Sequence, residues 1–323
     1  MGADRARRRG LLFAGAIVAA TAVLVAWLAG PGASSVPPDP LDLDSLASYP
    51  PLVDASPGAA ITLSGAGDIA VCGGTGDEAT AALLGDLPGW VVTAGDNAYD
   101  NGSPEAFERC YGPSWGRHRG RTFPAPGNHD FDTAGAAGYF GSFGERAGDP
   151  RAGWYGVDLG TWRLVVLASD CADVGGCGPE SDQGRWLAAQ LERHPGGCLV
   201  AIWHHPLFST GEHGPTPAVT PFWEVLHAAG AELVVNGHEH SYERFAPLDP
   251  DGRPDPDTGI RQFVVGTGGV ALRGFPREDP RSEVRDGSTH GVLRLDIRDG
   301  AYDWAFIPVE GGSFTDSGSG TCH

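Results

Sequence analysis

Five short apolar segments that each end in a polar cluster are the feature that most constrains this chain. The segments are ITLSGA (61–66), WVVTA (90–94), TFPAP (122–126), CLVAIW (198–203) and AELVV (231–235). A metal-binding or acid–base side chain follows each of them, and in four cases it comes just after a glycine. The clusters are Gly67-Asp68, Gly95-Asp96-Asn97, Gly127-Asn128-His129-Asp130, His204-His205-Pro206 and Asn236-Gly237-His238-Glu239-His240.

Helical patterns alternate with these apolar segments. We predict helices near 77–86, 103–110, 181–194 and 221–229, and further strands at 163–169 and 262–266. Strands that alternate with helices are typical of layered α/β domains. Two alternating runs around Asp299-Gly300 also predict a β-hairpin near the C-terminus. The predicted fold class is therefore α/β.

The polar clusters predict a metal site. Ligands of open α/β sheets gather at the carboxyl ends of strands, so side chains that are distant in sequence can converge on one crevice. The donors are carboxylate, amide and imidazole groups without a thiolate, which suits iron, zinc or manganese and argues against copper(I). The set is too large for a single ion with an open position but suits two ions.

The order of the motifs resembles the calcineurin-like metallophosphoesterase superfamily. The matching elements are GD (67–68), GDNAY (95–99), GNHD (127–130), the His204 segment and GHEH (237–240), and the resemblance covers roughly residues 60–310. It implies a four-layer α/β/β/α sandwich with a dinuclear metal site at the carboxyl ends of the strands.

Two positions narrow the resemblance to the purple acid phosphatase branch, whose smaller members are the tartrate-resistant acid phosphatases. Most of the superfamily opens with Asp-x-His, whereas this chain has Asp68-Ile69-Ala70, and Tyr99 stands where the purple branch has a tyrosine ligand. A phenolate favours a trivalent ion, so we expect Fe(III) at site one and Fe(II), Zn or Mn at site two. The resemblance implies Asp68, Asp96, Tyr99 and His240 for site one, and Asp96 as a bridge with Asn128, His204 and His238 for site two.

The implied activity is the hydrolysis of phosphate monoesters by a hydroxide held at this dinuclear centre. His129 and His213 match substrate-facing histidines of the family, and we expect His129 to protonate the leaving alcohol. The sequence does not decide whether His205 contacts the substrate or is only part of the turn into Pro206. Two alternatives remain: a phosphodiesterase or nucleotidase that uses divalent ions only, and a catalytically silent surface protein that binds metal or phosphate.

The N-terminus predicts export. Four arginines precede about twenty uncharged residues, so 1–33 is either a cleaved signal or a membrane anchor. A Pro- and Asp-rich linker (34–59), the metallophosphoesterase domain (60–311) and a Gly- and Ser-rich tail with Cys322 (312–323) are expected to follow. The even number of cysteines, six, suggests disulfides, of which Cys171–Cys177 is the simplest.

The formal net charge of −19 disfavours nucleic acid as a partner. The expected partner is a small phosphate ester, and an anionic substrate needs a strong local positive charge at the site. The expected location is outside the cytoplasmic membrane, secreted or anchored to it. The sequence leaves open the ester, the oligomeric state and the second metal.

Overall fold

The structure, a computed structural model, describes residues 60–323, so the predicted signal or anchor and the predicted linker lie outside the described residues. The strands are β1 (Ile61–Ala66), β2 (Trp90–Ala94), β3 (Thr122–Ala125), β4 (Tyr155–Leu159), β5 (Trp162–Val166), β6 (Cys198–Ile202), β7 (Leu233–Asn236), β8 (Tyr242–Phe245), β9 (Arg261–Val265), β10 (Ser282–Asp286), β11 (Gly291–Arg298), β12 (Ala301–Pro308) and β13 (Ser317–Thr321). The α-helices are α1 (Gly76–Asp86), α2 (Pro104–Ala106), α3 (Asn128–Phe131), α4 (Ala137–Phe143), α5 (Asp182–Arg193) and α6 (Thr220–Ala228).

Shorter helical turns connect these elements. A π-helical segment, Phe107–Tyr111, continues α2, and 3-10 turns cover Trp115–Arg121, Ala134–Ala136, Gly144–Ala147 and Pro217–Val219. Within residues 60–323, no helix has both the length and the apolar character that a membrane span needs.

Two mixed β-sheets form the centre of the domain. The first has six strands in the order β13-β12-β11-β1-β2-β3, and the second has seven in the order β10-β8-β9-β7-β6-β5-β4. The strands β1, β2 and β3 run parallel to one another, as do β5, β6, β7 and β9. Each sheet therefore directs the carboxyl ends of several strands to one edge. The predicted α/β class with two sheets is confirmed.

The alternation of side chains along β6 shows how the layers are built. Cys198, Val200 and Ile202 belong to the core that both sheets share, whereas Leu199 and Ala201 belong to a second core under α5 and α6. A strand places successive side chains on opposite faces, so a fully apolar strand is buried on both sides. This explains why the run CLVAI contains no polar residue.

Helix α5 covers the outer face of the second sheet. Its N-cap, Ser181, accepts a hydrogen bond from the backbone N–H of Gly184 at 3.0 Å, which satisfies one of the free donors at the helix start. Trp186, Leu187 and Leu191 are buried in the second core. The predicted helix at 181–194 thus has the amphipathic face that its sequence indicates.

The C-terminal residues belong to the first sheet. Strands β11 and β12 form the predicted hairpin, and Gly300 takes a positive φ of 66° in its turn. The segment 312–323, predicted as a tail, contains β13, which pairs with β12. The adjacent Cys322 forms a disulfide with Cys198 at the start of β6, so this bond ties the two sheets together. The other disulfides are Cys72–Cys110 and the predicted Cys171–Cys177.

Candidate metal centre

The polar clusters that follow β1, β2, β3, β6 and β7 meet at one edge of the two sheets. Three of the predicted ligands, Asp68, Asp96 and His238, have left-handed backbones with φ of 58°, 51° and 71°. A residue other than glycine that is held in this region costs about 1–3 kcal/mol, and such residues concentrate at functional sites. The strained positions here lie at the strand ends where the metal site is predicted.

Two glycines allow the strand ends to approach. Gly95 has φ 85°, and a Cβ there would lie 2.5 Å from Nδ1 of His204. A Cβ on Gly127 would lie 2.3 Å from Oδ1 of Asp96. These contacts are closer than any side chain tolerates, so the glycines of the GDN and GNHD motifs are required by the packing of the cluster.

Tyr99 connects the two carboxylates. Its hydroxyl lies 2.9 Å from Oδ1 of Asp68, 2.8 Å from Oδ2 of Asp96 and 3.4 Å from Nε2 of His240. Nε2 of His240 also lies 3.4 Å from Oδ1 of Asp68. The four residues predicted for site one therefore direct their donor atoms to one another.

The backbone orients the imidazoles of His204 and His240. Nδ1 of His204 donates to the carbonyl oxygen of Ala94 at 2.8 Å, and Nδ1 of His240 donates to that of Ala271 at 3.0 Å. This fixes the tautomer and leaves Nε2 of each ring free to bind a cation. Nε2 of His204 lies 3.3 Å from Oδ2 of Asp96.

His238 and Asn128 complete the second half of the cluster. Nδ1 of His238 lies 3.3 Å from Nε2 of His204. Asn128 opens α3 behind Gly127, and its Oδ1 is buried without a hydrogen-bond partner among the described residues. A buried amide oxygen without a donor is costly, and a cation would satisfy it. The residues predicted for site two thus fit a bound metal ion.

The electrostatics of the cluster also fit two cations. Burial raises the pKa of Asp68. Burial has the same tendency at Asp96, but the neighbouring His204 outweighs it, so the pKa of Asp96 is lowered overall. Burial would lower the pKa of His204, yet Asp96 raises it to about 10. A proton on His204 thus compensates the buried carboxylates, and bound cations would take over that role.

The two predicted catalytic histidines lie beside different residues of the cluster. His129 donates from Nδ1 to the carbonyl oxygen of Asp100 at 2.5 Å, and its Nε2 lies 3.9 Å from Oδ2 of Asp96. The His213 ring packs on the His238 ring with 4.3 Å between centroids. The exposed fractions of the two side chains are 32% and 40%, so both can reach a ligand from solvent.

His205 lies beside the cluster and is half-buried. Its ring centroid is 4.3 Å from that of His238, and its Nδ1 lies 2.9 Å from Oγ of Ser169. Burial and the charge of His204 lower the pKa of His205 to about 3, so the ring is neutral. This arrangement resembles packing around a ligand more than a proton donor.

Sequence reasoning assigned no role to three further residues around the cluster. Asp130 accepts hydrogen bonds from Nδ2 of Asn97 and from the backbone N–H of Gly127, both at 2.9 Å, and so joins the loops after β2 and β3. Glu239 is buried beneath the loop that carries His213. Arg273 contacts His213 from the segment 271–273. The sequence signal for Glu239 is its position between the predicted ligands His238 and His240. Arg273 lies in no recognisable motif, so the sequence carries no signal for it.

The comparison with protein families agrees with this geometry. The model for calcineurin-like phosphoesterases matches residues 66–242, more than half of the chain. The chain belongs to the calcineurin-like phosphoesterase family. The family predicted from the five motifs is thereby confirmed.

Relatives of this phosphoesterase-family chain include purple acid phosphatases. Purple acid phosphatase 21 of Arabidopsis thaliana is 35% identical over 163 residues, which cover 47% of this chain and 36% of that protein. The purple acid phosphatase PPD1 of yellow lupin superposes with a TM-score of 0.66 at 18% identity, over 84% of this chain and 54% of that one. The chain therefore spans about a third to a half of the length of these relatives.

The same fold also occurs in a protein described as an anchor. GAP50, the anchor in the inner membrane complex of Plasmodium, superposes with a TM-score of 0.61 at 13% identity and over 80% of this chain. At this level of identity the likeness concerns the fold alone. The shared fold therefore does not determine the activity of the present chain.

Proposed function

We propose that this protein is an exported purple acid phosphatase that hydrolyses phosphate monoesters with two bound metal ions. Asp68, Asp96, Tyr99 and His240 would hold Fe(III), and Asp96, Asn128, His204 and His238 would hold Fe(II), Zn or Mn. The observation that carries the proposal is the position of the Tyr99 hydroxyl between the two carboxylates and the His240 ring. A packing tyrosine would not direct its only polar atom into such a cluster.

The surroundings of Tyr99 favour a trivalent ion. Burial and the charges of Asp68 and Asp96 raise the pKa of the Tyr99 hydroxyl far above its ordinary value. The phenol therefore gives up its proton only beside a strongly positive neighbour. Fe(III) meets that requirement better than a divalent ion, and a phenolate is a hard donor that suits it.

Lewis acidity toward water and toward the phosphoryl oxygens is the chemistry that two such ions supply when bound. The chain's own residues contribute position and protons. His129 is held by Asp100 so that its Nε2 faces the cluster, where a proton on Nε2 can pass to the departing alcohol. His213 packs on His238 at the rim of the cluster, where the substrate would lie.

The disulfides support export. All six cysteines lie within the described residues, and all of them are paired. Disulfides persist in oxidising compartments, outside the cytoplasm. The N-terminal arginines and apolar run provide the route, either as a cleaved signal or as an anchor. Fractionation of expressing cells, followed by N-terminal sequencing, tests both points.

Hydrolysis by the purified full chain tests the proposed activity. An aryl phosphate monoester and the matching diester are compared at acidic and neutral pH, with metal analysis of the same sample. We expect the monoester to be preferred, and Asp96→Asn to lose both metal and turnover. A preference for the diester with divalent ions alone would instead support the phosphodiesterase alternative. Full metal content without turnover of either ester would support the silent binding protein.

A further inference from the structure

Arg273 lies at the rim of the candidate metal centre. Its backbone N–H donates to the carbonyl oxygen of His240 at 2.9 Å, and its Nη1 donates to Nε2 of His213 at 2.9 Å. The side chain is 34% exposed. The backbone of Arg273 is therefore fixed to the predicted ligand His240, and its guanidinium lies next to the His213 ring, which packs on His238, while solvent can still reach it.

The contact between Arg273 and His213 has a defined direction. A guanidinium only donates hydrogen bonds, so Nε2 of His213 is the acceptor. Nδ1 of the same ring lies 3.2 Å from the carbonyl oxygen of His238, to which it donates. Both ring nitrogens of His213 are occupied in this way, and its contact with Nη1 orients the guanidinium of Arg273.

Two neighbouring arginines form hydrogen bonds that stabilise the loop carrying His213 and the segment next to it. Arg277 donates to the carbonyl oxygens of Gly211 and Glu212, and Arg285 donates to the carbonyl oxygen of Arg277 and to Glu278. Among the described residues, one carboxylate lies within ion-pair distance of Arg273: Oε2 of Glu212 is 4.0 Å from its Nε. Within residues 60–323, Nη2 of Arg273 has no hydrogen-bond acceptor, so this guanidinium nitrogen can bind a ligand.

We propose that Arg273 binds the phosphoryl oxygens of the substrate and selects the doubly charged phosphate of a monoester over the singly charged phosphate of a diester. This inference rests on the proposed function of the same site. Guanidinium and phosphate form strong, charge-assisted hydrogen bonds with matched geometry. A chain with a formal net charge of −19 repels anions, so a local cation has a large effect here.

The test compares Arg273→Gln and Arg273→Lys with the unchanged full chain. The matched control is Arg117→Gln, which removes an arginine that is half exposed and paired with Glu78 away from the site. The readouts are the Kd of inorganic phosphate for the metal-loaded protein by calorimetry, kcat and KM for an aryl monoester and its diester, and metal content. Glu212→Gln is added because, among the described residues, Glu212 has the only carboxylate within ion-pair distance of Arg273, and this substitution removes its charge.

For Arg273→Gln we expect about 10- to 100-fold weaker phosphate binding and a similar loss of kcat/KM for the monoester, from the size of hydrogen bonds to charged groups. The diester should lose less than about 5-fold, and metal content should not change. The losses for Arg273→Lys should lie between those of the unchanged chain and of Arg273→Gln, because lysine keeps the charge but lacks the planar, paired donors of the guanidinium. Glu212→Gln should bind phosphate about 2-fold more tightly.

Equal losses for both esters, or loss of metal with either substitution at Arg273, would show a structural role and overturn the inference. Unchanged phosphate binding in both Arg273→Gln and Glu212→Gln would overturn it as well. If the unchanged protein holds two metals but hydrolyses no monoester, the proposed function fails. Phosphate binding by the variants then still decides whether Arg273 is an anion-binding residue.

Discussion

Replacement of Glu239 by glutamine should displace His213 and slow turnover without removing the metals. The buried carboxylate of Glu239 accepts hydrogen bonds from the backbone N–H groups of His213 and Gly214, at 3.2 and 2.6 Å, and from Oγ of Ser209 at 3.1 Å. These contacts hold both sides of the loop that carries His213. Glutamine has the same shape but no charge and only one acceptor oxygen.

The hydrogen-bond geometry gives the size of the effect. The N–H of Gly214 faces one carboxylate oxygen of Glu239 and the N–H of His213 faces the other, so either orientation of the amide sets its NH2 group against a backbone donor. One bond is lost, and the others change from charged to neutral, which costs about 1 kcal/mol each. The loop should therefore be destabilised in its present position by about 3 kcal/mol, and kcat/KM should fall about 100-fold.

The assay is a double-mutant cycle on monoester hydrolysis with Glu239→Gln, His213→Ala and the combined variant. If Glu239 acts through His213, Glu239→Gln should have little further effect once His213 is removed. Glu232→Gln is the matched control, since Glu232 has a buried carboxyl group that accepts from the backbone N–H of Leu199 and lies just before β7, away from its carboxyl end. Additive effects, or reduced metal content in Glu239→Gln, would refute the reasoning.

Three further predictions follow from the described contacts. His129→Ala removes the proton donor, so it should lower kcat for an alkyl phosphate about 100-fold or more, with metal content unchanged. Turnover of an ester with an activated aryl leaving group should stay close to normal, because that group leaves without a proton. Replacing Cys198 and Cys322 by serine opens a loop of 124 residues and should lower the free energy of unfolding by about 4–5 kcal/mol, measured by urea denaturation; an unchanged midpoint would contradict this. Burial raises the pKa of Glu232 from 4.5 to about 7, so the folded chain holds a proton that the unfolded chain releases, and stability should fall by about 3 kcal/mol as pH rises through that interval. Glu232→Gln should remove this pH dependence, and a denaturation series with the same slope in both proteins would refute the assignment.

The parts of the fold that local sequence determines were predictable. The apolar runs of β1, β2 and β6 are buried on both faces, so their composition alone indicates strands. The hairpin of β11 and β12 follows from Asp299-Gly300, since Gly300 provides the positive φ of the turn. The strand-end clusters indicated one crevice because parallel strands share an edge.

The parts that depend on tertiary contacts were not predictable. Strand β13, rich in glycine and serine, has no apolar alternation and forms because β12 provides a partner edge. The bond between Cys198 and Cys322 joins positions whose proximity exists only in the folded sheets. Arg273 approaches His213 from 60 residues away, and no spacing in the sequence indicates that contact.

The visible absorption spectrum of the purified full chain, with metal analysis of the same sample, tests the central claim most directly. The claim is that Tyr99 binds Fe(III) between Asp68 and Asp96. It predicts a purple charge-transfer band from tyrosinate to iron, with one iron and one further metal per chain, and loss of the band in Tyr99→Phe. A colourless protein that hydrolyses phosphate esters with zinc or manganese, and whose activity survives Tyr99→Phe, would contradict the claim and favour the divalent phosphodiesterase.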